Sequence, residues 1–406
     1  MYDVYAGAGY PHRLGRGHGE QLAGAVRHNV DRFLRLMARS GWSGEALAAR
    51  ALRHERMLGA DRLDEITGIA EGARVDYPAV LAFNLFNGEA TPDGCTVMWA
   101  HGDATGSGKA LFMKNSDKIG REDMVGEGFY QNKEINVILG LRPQGKPAVL
   151  GVSSAGSTGL KMGVNDRGVA AGTNIARTSE LRTRKVKTSE ERALDRVQLS
   201  RDGLELGTAM EAGNAIVQKL AAAPMSTPGN LEFVDSMLAF VIEGSYDRMA
   251  LQFTRSGVGA RTNRFVVLDA LNDPQDLSSY CRYVRCLELL EGKAGTLRPQ
   301  DLVGFTQDHA NGPGPNSICR HGTHFREETT QSAQVVELDA ADPTKTTVWI
   351  ALGKPCWAWR HPDGNLQLSM RFRPEDIPAG FRNGEVWRRF WTEQPYVDEG
   401  TAAKVG

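Results

Sequence analysis

The stretch Pro92-Asp93-Gly94-Cys95-Thr96-Val97-Met98-Trp99-Ala100 divides the chain into two parts of different character. Between His18 and about Phe86, apolar residues recur every three or four positions, which predicts amphipathic helices. After Gly94 the sequence changes to short β-like runs separated by Gly, Asn and Asp. We therefore predict a helical leader over residues 1–94 and a sheet-rich body over residues 95–406, together forming one compact domain.

The body shows the pattern of a layered α+β fold. Strands are predicted at residues 95–100, 110–114, 135–141, 148–153, 161–164, 169–173, 238–243, 249–253, 264–268, 334–338, 346–352 and 368–372. Helices are predicted at residues 204–222, 277–290 and 298–309. Many antiparallel hairpins with helices grouped between them favour sheets packed against each other with helices outside.

Charge and composition argue against several classes of protein. Charged side chains make up 24% of the 406 residues and nearly cancel, to a formal net charge of −1, without the basic surplus typical of nucleic-acid binding. No run approaches the ~20 apolar residues that a membrane helix needs, and the N-terminus lacks a signal-peptide pattern. Five scattered cysteines argue against a disulfide scaffold, so a reducing cytoplasm is the expected location.

Cys95 begins the first predicted strand, and Thr105–Gly108 is predicted to turn the chain back antiparallel. With a two-residue loop, Cys95 would lie opposite Lys118, with Asn115 and Asp117 at the same end of the hairpin. A thiol beside a carboxylate and an amide resembles an activated nucleophile with its orienting groups. The alternatives are that Cys95 is a small buried apolar residue and that Asp117 caps a turn.

Two segments suggest phosphate or cofactor binding. Residues 103–110 resemble a phosphate-binding loop, but Asp103 stands where glycine belongs, Ala110 stands where serine or threonine belongs, and a strand follows. We therefore predict no nucleotide site there. Residues 178–192 carry many charges of both signs and are predicted to be a solvated loop, with a basic patch for coenzyme A as the alternative.

Histidines near the end of the body are candidates for a metal site. His309, His321 and His324 lie close in sequence, but no carboxylate or cysteine spacing completes a recognised ligand set. We therefore expect no metal, and we interpret Cys319 as a packing thiol.

Several motifs together carry a resemblance to a known family. They are Asp93-Gly94-Cys95-Thr96, Lys114-Asn115-Ser116-Asp117, Gly159–Asn165, Thr262-Asn263 and Asn316–Arg320. On these motifs, across most of residues 10–375, the chain resembles the acyl-coenzyme A:6-aminopenicillanic acid acyltransferase family of N-terminal-nucleophile (Ntn) cysteine enzymes. The resemblance implies a four-layer αββα sandwich and autocatalytic cleavage between Gly94 and Cys95.

The resemblance also implies roles for individual residues. Cys95 would be the nucleophile, with Asp117 supporting it and its own α-amino group acting as the base. Asn263 would donate to the oxyanion, and Arg320 would line the substrate site near Ser317. Thr262 belongs to the same motif as Asn263. Arg264 stands where relatives commonly carry histidine, so its side chain either points away or favours an anionic substrate.

These observations predict an enzyme that cleaves a non-peptide C–N amide of a small N-acyl molecule through an acyl-Cys95 thioester. We expect no cofactor, and an α/β heterodimer made from one precursor, with higher oligomers left open. Hydrolysis is favoured slightly. A coenzyme A-dependent N-acyltransferase and a non-catalytic binding protein on the same fold are the alternatives.

Overall fold

The computed structural model describes residues 4–90, 94–119, 134–183, 194–322, 328–339, 341–359 and 368–371. The α-helices in these ranges are α1 Pro11–Gln21, α2 Ala23–Arg39, α3 Gly44–His54, α4 Ala60–Ala73, α5 Tyr77–Ala90, α6 Ser179–Thr183, α7 Arg196–Leu204, α8 Ala209–Ala222, α9 Leu277–Glu291, α10 Pro299–Thr306 and α11 Pro355–Ala358. The strands are β1 Val4–Gly9, β2 Gly94–His101, β3 Ala110–Ile119, β4 Asn136–Pro143, β5 Val149–Ser154, β6 Met162–Asn165, β7 Ala170–Ile175, β8 Gly229–Val234, β9 Ala239–Gly244, β10 Met249–Thr254, β11 Gly257–Arg261, β12 Glu328–Leu338, β13 Thr347–Leu352 and β14 Leu368–Arg371.

The strands of the described residues form two sheets. An eight-stranded sheet has the order β1-β4-β5-β6-β7-β8-β9-β10, and a six-stranded sheet has the order β11-β2-β3-β12-β13-β14. Strand β1 runs parallel to β4, and the other named pairs are antiparallel. The candidate nucleophile Cys95 therefore lies near the start of a strand that has a neighbour on both sides.

Three hydrophobic cores separate four layers. The first joins helices α1–α5, α7 and α8 to the eight-stranded sheet, the second fills the space between the sheets, and the third joins α9 and α10 to the six-stranded sheet. This helix–sheet–sheet–helix order confirms the expected αββα sandwich. Among the described residues, no helix combines the length and apolar character needed to cross a bilayer.

The leader is helical as predicted, and its apolar stripe is buried. Val26, Val30, Phe33 and Met37 of α2 all face the first core. The sequence pattern missed β1 at the start of the leader, as well as β8 and β11, because the Gly- and Ala-rich run of β1 shows no clear alternation. The leader thus supplies one edge of the larger sheet.

Helices α1 and α4 cross with their backbones in contact. A Cβ atom at Gly15 would lie 1.8 Å from the Glu65 carbonyl oxygen, and one at Gly68 would lie 2.2 Å from the His12 carbonyl oxygen. Glycine is required at both positions because any side chain would force the helices apart.

Two predicted elements differ in the structure. The helix predicted at 204–222 begins only at Ala209, because α7 ends at Leu204 and Thr208 caps α8 by accepting the Glu211 N–H at 3.1 Å. The strand predicted at 264–268 is a loop. Its main-chain N–H groups at Val266, Val267 and Leu268 donate to the Glu243 carboxylate over 2.7–2.9 Å, in place of a neighbouring strand.

Candidate active site

The hairpin of β2 and β3 positions the candidate nucleophile, with a register that differs from the prediction. Cys95 pairs with Ser116 and Gly94 with Asp117, so the predicted pairing of Cys95 with Lys118 is wrong by two residues. The reason is the connection: residues 102–104 form a 3₁₀ turn, and the chain returns only after Gly108, which has a φ of 73°. A strand follows the loop that resembles a phosphate-binding loop, as the sequence predicted.

Alternation along the two strands separates the thiol from the carboxylate. Val97 of β2 belongs to the core between the sheets, whereas Met98 belongs to the core beneath α9 and α10. Cys95 therefore faces the larger sheet, and Asp117, paired with Gly94, faces the helices. Asp117 thus lies beside the bond between Gly94 and Cys95, on the side opposite to the thiol.

The main chain of Cys95 is held from both ends. Its N–H donates to Asn263 Oδ1 at 3.0 Å, and its carbonyl oxygen accepts from Arg282 Nη1 at 2.7 Å. Arg282 Nη2 donates to the same Asn263 oxygen at 2.7 Å, while Asn263 Nδ2 donates to the Ile175 carbonyl at 2.9 Å. Because Cys95 N–H and Arg282 can only donate, and the Ile175 carbonyl can only accept, the amide orientation of Asn263 is fixed.

This orientation bears on the role expected for Asn263. In the intact chain its oxygen, and not its N–H₂ group, faces Cys95. Donation to an oxyanion therefore stays a prediction, and the contact that the structure contains is acceptance from the Cys95 nitrogen.

Arg282 is a functional candidate that the sequence interpretation missed. It is fully buried, and its Nη1 also donates to Thr96 Oγ1 at 2.9 Å. Burial lowers the pKa of Arg282 to about 10, with the nearby Arg320 acting in the same direction, so it stays cationic near neutral pH. A signal was present in the sequence, since Arg282 occupies the buried stripe of α9 together with Ser279, Cys286 and Leu290.

Asp117 is fully buried within a group of opposite charges. Its Oδ1 accepts from Thr330 Oγ1 at 2.6 Å, and its Oδ2 lies 3.6 Å from Arg320 Nη1. Burial raises the pKa of Asp117, and the positive charges of Arg320 and Arg282 only partly offset this. Arg320 is also paired with Glu328. The structure therefore brings Asp117 and Arg320 together at Gly94, and a substrate-binding role for Arg320 stays a prediction.

Gly94 occupies a position without room for a side chain. A Cβ atom there would lie 2.4 Å from Arg320 Nη1, 2.7 Å from Asp117 Oδ2 and 2.9 Å from Asp117 Cβ. The residue before Cys95 is thus in direct contact with both members of the ion pair.

The remaining predicted site residues make structural contacts. Asn115 donates to the carbonyl oxygens of Thr306 and Ile318 at 2.9 and 3.1 Å, which fastens the end of α10 to β3. Ser317 Oγ lies within hydrogen-bond distance of the carbonyl oxygens of Gly314 and Cys319, at 3.0 and 2.9 Å, and can donate its one hydrogen to either. These two side chains stabilise the segment before β12.

Thr262 and Arg264 both contact α9. Thr262 Oγ1 donates to the Ser279 carbonyl at 2.9 Å. The Arg264 guanidinium lies 5.1 Å from the ring centre of Tyr280 and 5.9 Å from that of Tyr283. The Arg264 side chain therefore packs against α9 through a cation–π contact, and its role at the substrate site stays a prediction.

A small polar cavity lies on the face of β3 that Cys95 shares. Lys118 lines it two residues beyond Ser116, the partner of Cys95, which corresponds to a separation of ~7 Å along the strand. Its other walls come from α5, β5 with the loop after it, and the start of α7, with the lining residues Phe83, Asn84, Asn87, Gly88, Ser153, Ser154, Ser157, Gly159, Lys161, Asp195, Arg196 and Val197. The leader therefore forms one wall of this cavity.

Buried Glu134 supports the same region. Its carboxylate pairs with Lys161 at 2.5 Å, with Lys118 at 3.5 Å and with Arg32 of the leader at 3.4 Å. Burial alone would raise the pKa of Glu134, but the three cations outweigh it and hold the pKa well below its ordinary value. Three cations around one carboxylate give this end of the sandwich a positive character.

Glu232 of β8 is a buried carboxylate between the sheets, and neither of its oxygens receives a hydrogen bond from any described residue. Burial raises the pKa of Glu232 from 4.5 to about 7. Between about pH 4.5 and about pH 7, this carboxyl group holds its proton in the folded chain but loses it in the unfolded chain. The free energy of unfolding therefore falls as the pH rises through this range.

Replacing Glu232 by glutamine is therefore expected to remove this decrease in the free energy of unfolding. At pH 8 Glu232→Gln should raise the free energy of unfolding by on the order of 3 kcal/mol, with little difference at pH 4. Urea unfolding between pH 4 and pH 8 measures the free energy of unfolding of both proteins. Both carry Cys95→Ala, so that the chain is not cleaved. The exposed Glu45→Gln is the control, and equal pH slopes for Glu232→Gln and its parent would contradict the expectation.

The charged segment at 178–192 is described only in part. Thr178 Oγ1 accepts the Leu181 N–H at 3.0 Å and so caps the short helix α6. The rest of the proposed basic patch for coenzyme A, from residue 184 onward, lies outside the described residues.

Two of the three histidines considered for a metal site lie beside two cysteines, a combination that the sequence did not predict. His309 and His321 lie with Cys319 and Cys356, and one ligand atom from each falls within 4.8 Å of the others. His324 lies outside the described residues. The sequence interpretation missed Cys356 because α11 brings it to His321 from 35 residues further along the chain.

Comparisons with known proteins give structural likenesses alone. No family model and no curated protein matches the chain. Among solved structures, an N-acylethanolamine-hydrolyzing acid amidase ortholog of Caenorhabditis elegans is 14% identical, with 59% of this chain and 92% of that chain covered at a TM-score of 0.36. Penicillin V acylase from Agrobacterium tumefaciens is 11% identical, with 64% and 83% covered at a TM-score of 0.36.

A mutant conjugated bile acid hydrolase from Clostridium perfringens is 12% identical, with 69% of this chain and 97% of that chain covered at a TM-score of 0.33. The class that the structure itself defines is a four-layer αββα sandwich with Cys95 at the start of a buried strand.

Proposed function

We propose that this protein is an amide hydrolase whose nucleophile is Cys95, uncovered as an N-terminal residue by cleavage of the Gly94–Cys95 bond. The observation that carries the proposal is the double hold on the Cys95 main chain by Asn263 Oδ1 and Arg282 Nη1. A cysteine that served only as a small apolar residue would not need a buried arginine and a buried asparagine at its backbone.

The contacts of Asn263 and Arg282 with the Cys95 main chain are consistent with a residue that becomes N-terminal. After cleavage the Cys95 nitrogen is an α-amino group, with a reference pKa of about 7.7–8.0, and Asn263 Oδ1 is placed to keep its orientation. The Arg282 cation, bonded to the same oxygen, disfavours a second positive charge nearby. The neutral amine can then take the proton of the Cys95 thiol, so no histidine is required.

The surroundings of Gly94 support cleavage at this bond. The Cys95 sulfur would attack the Gly94 carbonyl carbon, the peptide C–N bond would break, and the proton lost by the thiol would pass to the nitrogen, which leaves as the new amine. Water would then open the thioester, which gives a Gly94 carboxylate and a free thiol. Arg320 lies beside Gly94, and we infer that its positive charge stabilises the negative charge that develops on the Gly94 carbonyl.

Turnover of substrate would repeat these steps on a foreign amide. Cys95 would take the acyl group and release the amine, and water would hydrolyse the acyl thioester. The polar cavity beside Lys118 has about 20 Å³ of water-accessible space, which is room for a water molecule and not for an N-acyl substrate. Water as the acceptor makes the reaction a hydrolysis.

The hydrolase proposal is tested by the release of amine from a panel of N-acyl compounds with varied acyl chains. Purified protein is expected to release free amine and free acid in equal amounts, and Cys281→Ala, at a half-buried thiol of α9, should behave like the parent. Amine release that requires added coenzyme A or an amine acceptor would indicate a transferase. Absence of release across the panel from fully cleaved protein would count against an amidase.

Gly94→Ala is expected to slow cleavage by roughly tenfold or more, because its Cβ would displace Arg320 and Asp117 from the scissile bond. The measurement is the fraction of cleaved chain against time after synthesis, with thermal unfolding to show that the variant is folded. Gly44→Ala is the control, since a Cβ there meets no atom within 4 Å. Equal cleavage rates in the two variants would remove Asp117 and Arg320 from the cleavage step.

We further infer that the two fragments stay together after cleavage. Strand β1 of the leader pairs with β4, and the leader helices share one hydrophobic core with the larger sheet. Separation would expose this core to water, at a cost of roughly 25 cal/mol for each Å² of apolar surface.

A further inference from the structure

Four side chains with metal-binding atoms meet near one end of the six-stranded sheet. His309 follows α10, Cys319 and His321 lie before β12, and Cys356 belongs to α11. Both cysteines are buried and both histidines are half-buried. The group lies outside the contacts described for Cys95, Asn263 and Arg282.

Three distances between the ligand atoms, all measured from His321 Nε2, lie close to those of a tetrahedral zinc site. With Zn–S bonds of ~2.3 Å and Zn–N bonds of ~2.0–2.1 Å, tetrahedral geometry separates two nitrogens by about 3.3 Å and a nitrogen from a sulfur by about 3.5 Å. His321 Nε2 lies 3.2 Å from His309 Nε2, 3.7 Å from Cys319 Sγ and 3.2 Å from Cys356 Sγ. All four ligand atoms lie within 4.8 Å of one another.

Hydrogen bonding does not explain this convergence. The Nε2 atom of an imidazole carries either one hydrogen or one in-plane lone pair, so it makes one good hydrogen bond. Here the same nitrogen of His321 faces three ligand atoms. A metal ion that accepts one lone pair from each of the four atoms satisfies all of them at once.

The backbone holds the ligands in place through contacts of its own. The Cys319 N–H donates to the Asp308 carbonyl at 3.1 Å, and the His321 N–H donates to the Pro313 carbonyl at 2.9 Å. The Asp308 side chain, next to His309, is paired with Arg285 of α9 at 2.8 Å. These contacts organise the segment from His309 to His321 for metal binding.

We propose that His309, Cys319, His321 and Cys356 form a structural zinc site. Two thiolates and two imidazoles are the ligand set that zinc favours, and four protein ligands close the coordination sphere, which is typical of structural sites. The ion would tie α11 and the segment after α10 together. Arg320 lies between two of the ligands, so the ion would also fix the segment that carries Arg320 to Asp117.

Metal analysis of the full chain, purified without chelator, tests the proposal. We expect about one zinc per chain, lowered at least about fivefold by Cys319→Ser or Cys356→Ser and unchanged by Cys281→Ser. Cobalt added to the zinc-free parent protein should give the intense visible absorption of a tetrahedral cobalt–thiolate site. This second readout uses the parent sequence, so it does not depend on the folding of the cysteine variants.

The proposal does not rest on the function assigned to Cys95, and Cys95→Ala protein should contain as much zinc as the parent. Reduced parent protein that binds neither zinc nor cobalt would overturn it. Isolation of the chain with a Cys319–Cys356 disulfide that re-forms after reduction in the presence of zinc would overturn it as well.

Discussion

Cys95→Ala protein is expected to accumulate as one uncleaved chain of 44.3 kDa and to lose amide hydrolysis by roughly four orders of magnitude or more. The substitution removes the sulfur that attacks the Gly94 carbonyl and the substrate, but it leaves the Cys95 backbone contacts with Asn263 and Arg282 available. Cys95→Ser keeps a weaker nucleophile, and it is expected to be cleaved slowly.

Denaturing gels and intact mass report cleavage, and amine release reports activity. Cys281→Ala is the matched control because it removes a thiol from α9 outside the Cys95 contacts. Cleavage at normal speed in Cys95→Ala would show that another group, or a separate protease, breaks the chain. Hydrolysis by an uncleaved Cys95→Ala chain would remove Cys95 from the chemistry.

Asn263→Leu is expected to lower kcat by about 10²–10³, because the side chain orients the nitrogen that takes the thiol proton. The pH profile distinguishes this role from oxyanion binding. An acceptor oxygen stabilises the protonated amine, so its loss should lower the pKa of the acidic limb of kcat/KM. Loss of an oxyanion donor would reduce the rate and leave that pKa unchanged.

Two further variants complete this test. Asn263→Asp keeps an acceptor and adds negative charge, so it should raise the pKa of the acidic limb. Asn115→Leu removes two buried hydrogen bonds from the same hairpin. It should lower the stability of the protein and leave the pKa of the acidic limb of kcat/KM unchanged. A rate loss in Asn115→Leu comparable to that in Asn263→Leu would support the catalytic role predicted for Asn115.

The sequence predicted the features that depend on local pattern. The boundary at Gly94, the strand that begins there and the helices of the leader are all present, since periodic burial is visible in one sequence. The four layers followed from the family resemblance and are confirmed by the cores.

What the sequence missed depends on contacts between distant segments. The hairpin register shifted because a 3₁₀ turn lengthened the connection after His101, and the run at 264–268 became a loop because Glu243 of β9 receives its N–H groups. Arg282 reaches Cys95 from 187 positions away. No local pattern encodes these partners, because each is defined only once the sheets have paired.

Cleavage is expected to make Cys95 the first residue of a mature chain. The most direct measurement is the intact mass and N-terminal residue of the larger fragment from freshly purified parent protein that hydrolyses amides. We predict a fragment that begins with a free Cys95 amine and a leader fragment that ends at Gly94. A single 44.3 kDa chain with full amide-hydrolysing activity would contradict it.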